Sequence, residues 1–161
     1  MMRRSVLLLV AAAALRCMSA GLVAQGAEPL VGVWNCDVFK STYTTGQPPV
    51  KRTITFEAAG DSLHFVQETT NEGFNTSETI KVESTAKVDG KDYPIMHSGL
   101  DTIAFKRVDA TTIERTGKIK GMPTETAVMK LSNRNRTMTI TTNGTTDTGA
   151  KYSRIEVFNK Q

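Results

Sequence analysis

Arg52-Thr53-Ile54-Thr55-Phe56-Glu57-Ala58 alternates strictly, with Ile54 and Phe56 on one side and Thr53, Thr55 and Glu57 on the other. Ala59-Gly60-Asp61 is turn chemistry, and Ser62-Leu63-His64-Phe65-Val66-Gln67 resumes the alternation with Leu63 and Phe65 sharing a face. A period of two sends successive side chains to opposite faces of an extended chain. Residues 52–70 therefore predict two antiparallel strands joined by a short turn, each apolar on one face.

The same pattern recurs on both sides. Residues 30–39 form a first strand, and residues 40–50 a polar connection holding Gly46 and Pro48-Pro49, a pair excluded from central strands. Asn71-Glu72-Gly73 reads as the next turn. Residues 74–88 place Phe74, Ile80, Val82 and Val88 in one parity, long enough for two strands or one bent strand. Asp89-Gly90 is a tight-hairpin dipeptide, because both central positions of that turn favour positive φ. After an irregular 93–100, strands are expected at 102–107, 111–119, 124–131, 136–142 and 150–159. No window of a dozen residues carries a helical stripe. About nine or ten short strands in one domain must curl or close. The expected fold is all-β, an antiparallel up-and-down barrel. A β-sandwich, with the same periodicity, is the alternative.

The N-terminus reads as an export signal. Arg3 and Arg4 precede an uncharged run from Val6 to Leu15, and Ala24-Gln25-Gly26 offers a small-x-small cleavage site. An apolar run of about ten residues is half of what a bilayer span needs, so no stable membrane anchor is expected. Residues 1–26 are read as a signal peptide and 27–161 as a single domain, exported to the periplasm or beyond the cell. Cleavage removes Arg3, Arg4 and Arg16, so the +4 net charge of the whole chain falls to +1. That balance, without a Lys/Arg block, gives no support to a nucleic-acid partner. Of the two cysteines, Cys17 leaves with the signal, and Cys36 alone closes no intramolecular disulfide.

Gly32-Val33-Trp34 on the first strand, followed by a meander, resembles the opening of the lipocalin and fatty-acid-binding-protein superfamily. The resemblance implies a barrel whose closed end is plugged by Trp34 beside Gly32, with a basic side chain of the final strand, Arg154 before Lys160, across the indole. Lys40-Ser41-x-Tyr43, Asp89-Gly90-Lys91-Asp92-Tyr93-Pro94, residues 101–107 and Thr137-Met138-Thr139-Ile140-Thr141 extend it over nearly the whole domain. Together they are similar to small exported bacterial lipocalin-like proteins, a likeness that bears on fold and compartment and brings no activity. One departure concerns ligands. Fatty-acid-binding proteins end on an Arg-x-Tyr pair that grips a carboxylate. Aligning Phe158-Asn159-Lys160 with their terminus places Glu156 where that Arg would stand.

Catalytic constellations are missing from the sequence. His64 falls on the polar face of its strand, and His97 beside Ser98 lacks the third, orienting group that a triad requires. Cys36 shares the parity of Trp34 and reads as a buried structural thiol. No ligand spacing suggests a metal, and no phosphate loop or dinucleotide fingerprint suggests a cofactor. No enzyme is expected. What stands out is polar residues in apolar parity: Gln67, Glu78, Arg107, Arg115 and Arg136. Near strand ends such side chains reach water with their stems buried; inside a hollow barrel they would line a wet cavity, since a dry core rejects unpaired charge. The first functional expectation is thus a small apolar or amphipathic ligand held by Phe56, Phe65 and Phe105 with Glu78, Arg107 and Arg115. The second is a structural or protein-interaction module with a filled core.

Overall fold

The computed structural model describes residues 28–161. The export segment and the cleavage expected near Gly26 lie outside the described residues. Ten strands follow in order: β1 (Gly32–Tyr43), β2 (Lys51–Ala59), β3 (Ser62–Gly73), β4 (Thr76–Ala86), β5 (Tyr93–Pro94), β6 (Thr102–Arg107), β7 (Thr112–Ile119), β8 (Met122–Ser132), β9 (Thr137–Thr145) and β10 (Lys151–Lys160). They form one antiparallel sheet, ordered β4-β3-β2-β1-β10-β9-β8-β7-β6-β5. Its two edges meet where Glu83 on β4 and Met96, just past β5, exchange N–H···O bonds of 3.3 and 2.8 Å. One continuous sheet whose edges touch is a nearly closed barrel, which decides against the sandwich.

The opening hairpin pairs as its alternation requires, with Phe56 opposite Phe65 and Ile54 opposite Gln67. Phe56, Phe65 and Phe105 pack with ring centroids 5.4–6.2 Å apart in tilted and edge-to-face geometry, the arrangement aromatic quadrupoles favour. Together with Met138, Ile140 and Phe158 they fill the lower barrel solidly.

Trp34 closes that lower end with 0% of its surface exposed. Its Nε1–H donates to the Leu30 carbonyl at 2.7 Å, so the buried indole leaves no orphan donor. The basic side chain over the ring is Lys160, whose Nζ lies 5.1 Å from the ring centroid and donates to the Pro29 carbonyl at 3.2 Å. Gly32 makes room for it: a Cβ there would stand 2.5 Å from Lys160 Cε, and its φ of +137° suits only glycine. The expectation for Arg154 is corrected. β1 pairs Trp34 with Lys160 and Tyr43 with Arg154, which carries the arginine to the opposite end.

Two turn expectations are also corrected. β3 runs through Asn71-Glu72-Gly73, and the turn falls on Phe74-Asn75, with Asn75 at φ +60°. Asp89-Gly90 makes no hairpin, since the chain passes from β4 into a short β5 that pairs only with β6. β2 stops pairing with β3 at Lys51–Thr70, whereas β3 and β4 stay paired to Gly73–Thr76. Their tip thus overhangs the barrel. Phe74 is 95% exposed there, and Glu78, opposite Asn71, is exposed too. Glu78 keeps the inward parity of Val82 and Ser84, but the wall has ended by its position, so it does not face a lumen.

Candidate functional site

The upper, mouth end is hollow. A cavity of about 560 Å³ opens there, and Phe65, Val82, Ile95, Leu100, Ile103 and Ile119 give it an apolar wall. Leu100 lies over Gly117, where a Cβ would meet its Cδ1 at 2.5 Å, so a glycine on β7 admits the leucine to the cavity wall.

The opposite wall is charged. Arg115 on β7 forms an ion pair with Glu125 on β8, and only 7% of Arg115 is exposed. Glu125 Oε2 also accepts the Tyr152 hydroxyl at 2.6 Å and Arg154 Nη2 at 3.1 Å, both from β10. Arg154 turns Nε toward Glu156 Oε2 at 3.2 Å, an ionic contact without hydrogen-bond alignment. Glu156 Oε1 pairs with Arg52 on β2 and accepts the Tyr43 hydroxyl at 3.0 Å. Arg52 is held in turn by Nε–H donation to Thr69 Oγ1 at 3.0 Å. The result is one alternating chain, Arg115–Glu125–Arg154–Glu156–Arg52, crossing the mouth from β7 to β2.

Tyr152 reaches Glu125 across β9 because Gly144 lies between them. A Cβ at Gly144 would run into the phenol ring. Burial and the adjacent Glu125 carboxylate push the Tyr152 hydroxyl up to about 12. Burial, then Glu156, raises the Tyr43 hydroxyl as well. Burial alone would raise Glu125, but Arg115 and Arg154 outweigh it and hold the carboxyl below its usual range. Glu125 is accordingly ionised at neutral pH and both phenols are protonated donors. Charges this buried are tolerated only when paired. Three guanidiniums face two carboxylates, so the chain carries one surplus positive charge. Arg115 Nε and Thr124 Oγ1 are buried with no hydrogen-bond partner among the described residues.

Of the residues singled out in the sequence, Phe65 and Arg115 line this cavity. Phe56 and Phe105 belong to the solid core below it. Arg107 lies at the closed end, paired with Glu28, because β6 runs from mouth to base and ends there. Glu78 is outside. Trp34 and Gly32 stand in the plug, and Arg154 moves from plug to cavity. Gln67 also lines the cavity, while Arg136 is exposed. His64 binds Thr85 Oγ1 at 3.2 Å, and His97 is exposed at φ +56°. Cys36 packs against the core, its Sγ 3.5 Å from Ser41 Oγ and 3.9 Å from Tyr43 Oη, and burial raises its thiol. Sequence reading missed Tyr43, Arg52, Glu125, Tyr152 and Glu156 as a site. Tyr152-Ser153-Arg154 did carry a signal: an aromatic donor and a guanidinium in one parity of the final strand.

No family model matches the chain, and no curated protein matches it. Solved structures that match include the crystal structure of zebrafish ileal bile acid-binding protein in complex with cholic acid. The two share 9% identity over 83% of this chain and 99% of the other, with a TM-score of 0.50. At that identity the likeness concerns fold alone: the chain is a nearly closed antiparallel β-barrel of the kind seen in that structure.

Proposed function

We propose that this protein is an exported carrier that holds a small amphipathic acid in the mouth cavity. The observation that carries the reading is the two-faced wall, apolar on one side and on the other furnished with the Arg115 and Arg154 guanidiniums, which share the Glu125 carboxylate, with Asp147 also in the lining. Ligand pockets are concave, mainly apolar and furnished with a few converging polar groups. An anionic head group placed against Arg115 and Arg154 would offset the surplus charge, while the apolar body covers Phe65, Ile103 and Leu100. The zebrafish structure of the same barrel type was determined with cholic acid, an amphipathic acid, and adds support.

The test is titration of the purified protein with an anilinonaphthalene sulfonate and displacement by dodecanoate. Saturable binding is expected, weakened at least about tenfold by Arg115→Met and unchanged by Glu78→Ala on the overhanging tip. Folded protein without saturable uptake would return the domain to the interaction-module reading. Export is tested separately: intact mass from the exporting host should show a chain beginning near Ala27. Full-length chain in the membrane fraction would contradict it.

A further inference from the structure

β1 and β2 pair only from Gly32–Phe56 to Asn35–Thr53 and then separate. On its other side, β1 shifts register against β10 between Asp37 and Thr42. The opening between β1 and β2 is a second chamber of about 230 Å³, adjoining the main cavity across Tyr152 and Arg154, which line both. Its wall is nearly all polar: the Arg52 and Arg154 guanidiniums, the Tyr43 and Tyr152 phenols, and the Gln47 and Asn71 amides. The two hydroxyl hydrogens are taken by Glu156 and Glu125, so the donors left are the amides and the guanidiniums, which share Glu156 while Arg154 also pairs with Glu125. Arg52 spends Nε on Thr69 and Nη1 on Glu156, leaving Nη2 outside these bonds. Apolar molecules gain nothing there. A compact oxyanion meets two cations, amide donors and ample space.

We propose that this side chamber is an oxyanion site. The ligand class it selects is the head-extended amphipathic acid, whose apolar body lies in the main cavity and whose terminal sulfonate, phosphate or carboxylate passes Arg154 to reach Arg52. The inference rests on the carrier reading above and adds to it which acids are preferred. A short carboxylate held against Arg115 and Arg154 stops before Arg52, whereas a head longer by an amide and two carbons extends past Arg154.

Calorimetric titration of the protein with dodecanoate, N-dodecanoyltaurine and methanesulfonate, each below its micellar concentration, separates the cases. N-dodecanoyltaurine should bind roughly tenfold or more tightly than dodecanoate, the worth of one charge-assisted contact in a shielded site. Arg52→Met should abolish that ratio. Asn71→Trp should do the same by filling the chamber without touching an ion pair, which covers the case in which Arg52→Met does not fold. Arg52-dependent binding of methanesulfonate alone would also support the oxyanion site, with a free anion as its source. Equal affinities for the two amphiphiles and no methanesulfonate binding would overturn the proposal, as would a ratio surviving both variants. Failure of the carrier reading is read from a different arm, as absent dodecanoate binding.

Discussion

Gly32→Ala tests whether the closed end depends on Lys160 lying in the space a side chain at position 32 would take. The added Cβ would stand 2.5 Å from Lys160 Cε, at a φ of +137°. Backbone strain at such a φ costs about 1–3 kcal/mol. Lys160 Cε belongs to a flexible stem, so the lysine rather than the backbone gives way. Its departure forfeits a cation–π contact of about 1 kcal/mol and an ammonium–carbonyl bond of roughly 1.5 kcal/mol. The total is about 3.5–5.5 kcal/mol, or roughly 10–20 °C in melting temperature for a domain of this size. Urea unfolding of wild type, Gly32→Ala, Lys160→Ala and the double variant gives the coupling directly. With the stem already removed, Gly32→Ala should cost only its strain, leaving a coupling of about 2.5 kcal/mol. Additivity within about 0.5 kcal/mol would refute the reasoning, because the two residues would then be independent.

The ion chain yields two further outcomes. Glu125 is held below the usual glutamate range, so the stability it contributes is fully present above that range and is lost as pH falls through its lower folded value. Glu125→Gln should cost about 3–5 kcal/mol at neutral pH by leaving Arg115 buried without its partner. It should also flatten the acid limb of a stability-against-pH curve, whereas parallel curves for variant and wild type would argue against the hub role. Gly144→Ala should push the Tyr152 ring off Glu125 and bring its ionisation down from about 12 toward the ordinary tyrosine value. Phenolate absorbance read against Tyr152→Phe measures this. Because the raised value favours the protonated fold, wild type should lose the corresponding stability between the ordinary value and about 12 as pH rises.

The strands were legible because alternation is local: Ile54 with Phe56 and Leu63 with Phe65 announce a buried face regardless of what covers it. The same rule failed at Glu78 and Phe74, since parity gives the face of a strand and says nothing of where the wall ends. Arg154 and Lys160 share one parity of β10, so the sequence alone assigns both to the interior. Only the pairing of β1 with β10 sends the lysine to Trp34 and the arginine to the mouth. Arg115 was visible as a charge in an apolar row. Its partners were not, because Glu125, Arg154, Glu156 and Arg52 come from β8, β10 and β2, and buried pairing is a property of the closed barrel. Alternation and turn chemistry by themselves determined an all-β meander with a tryptophan in its core. Register, overhang and the splitting of β1 from β2 decided which charges meet and where space is left, because these are set by contacts between strands distant in the chain.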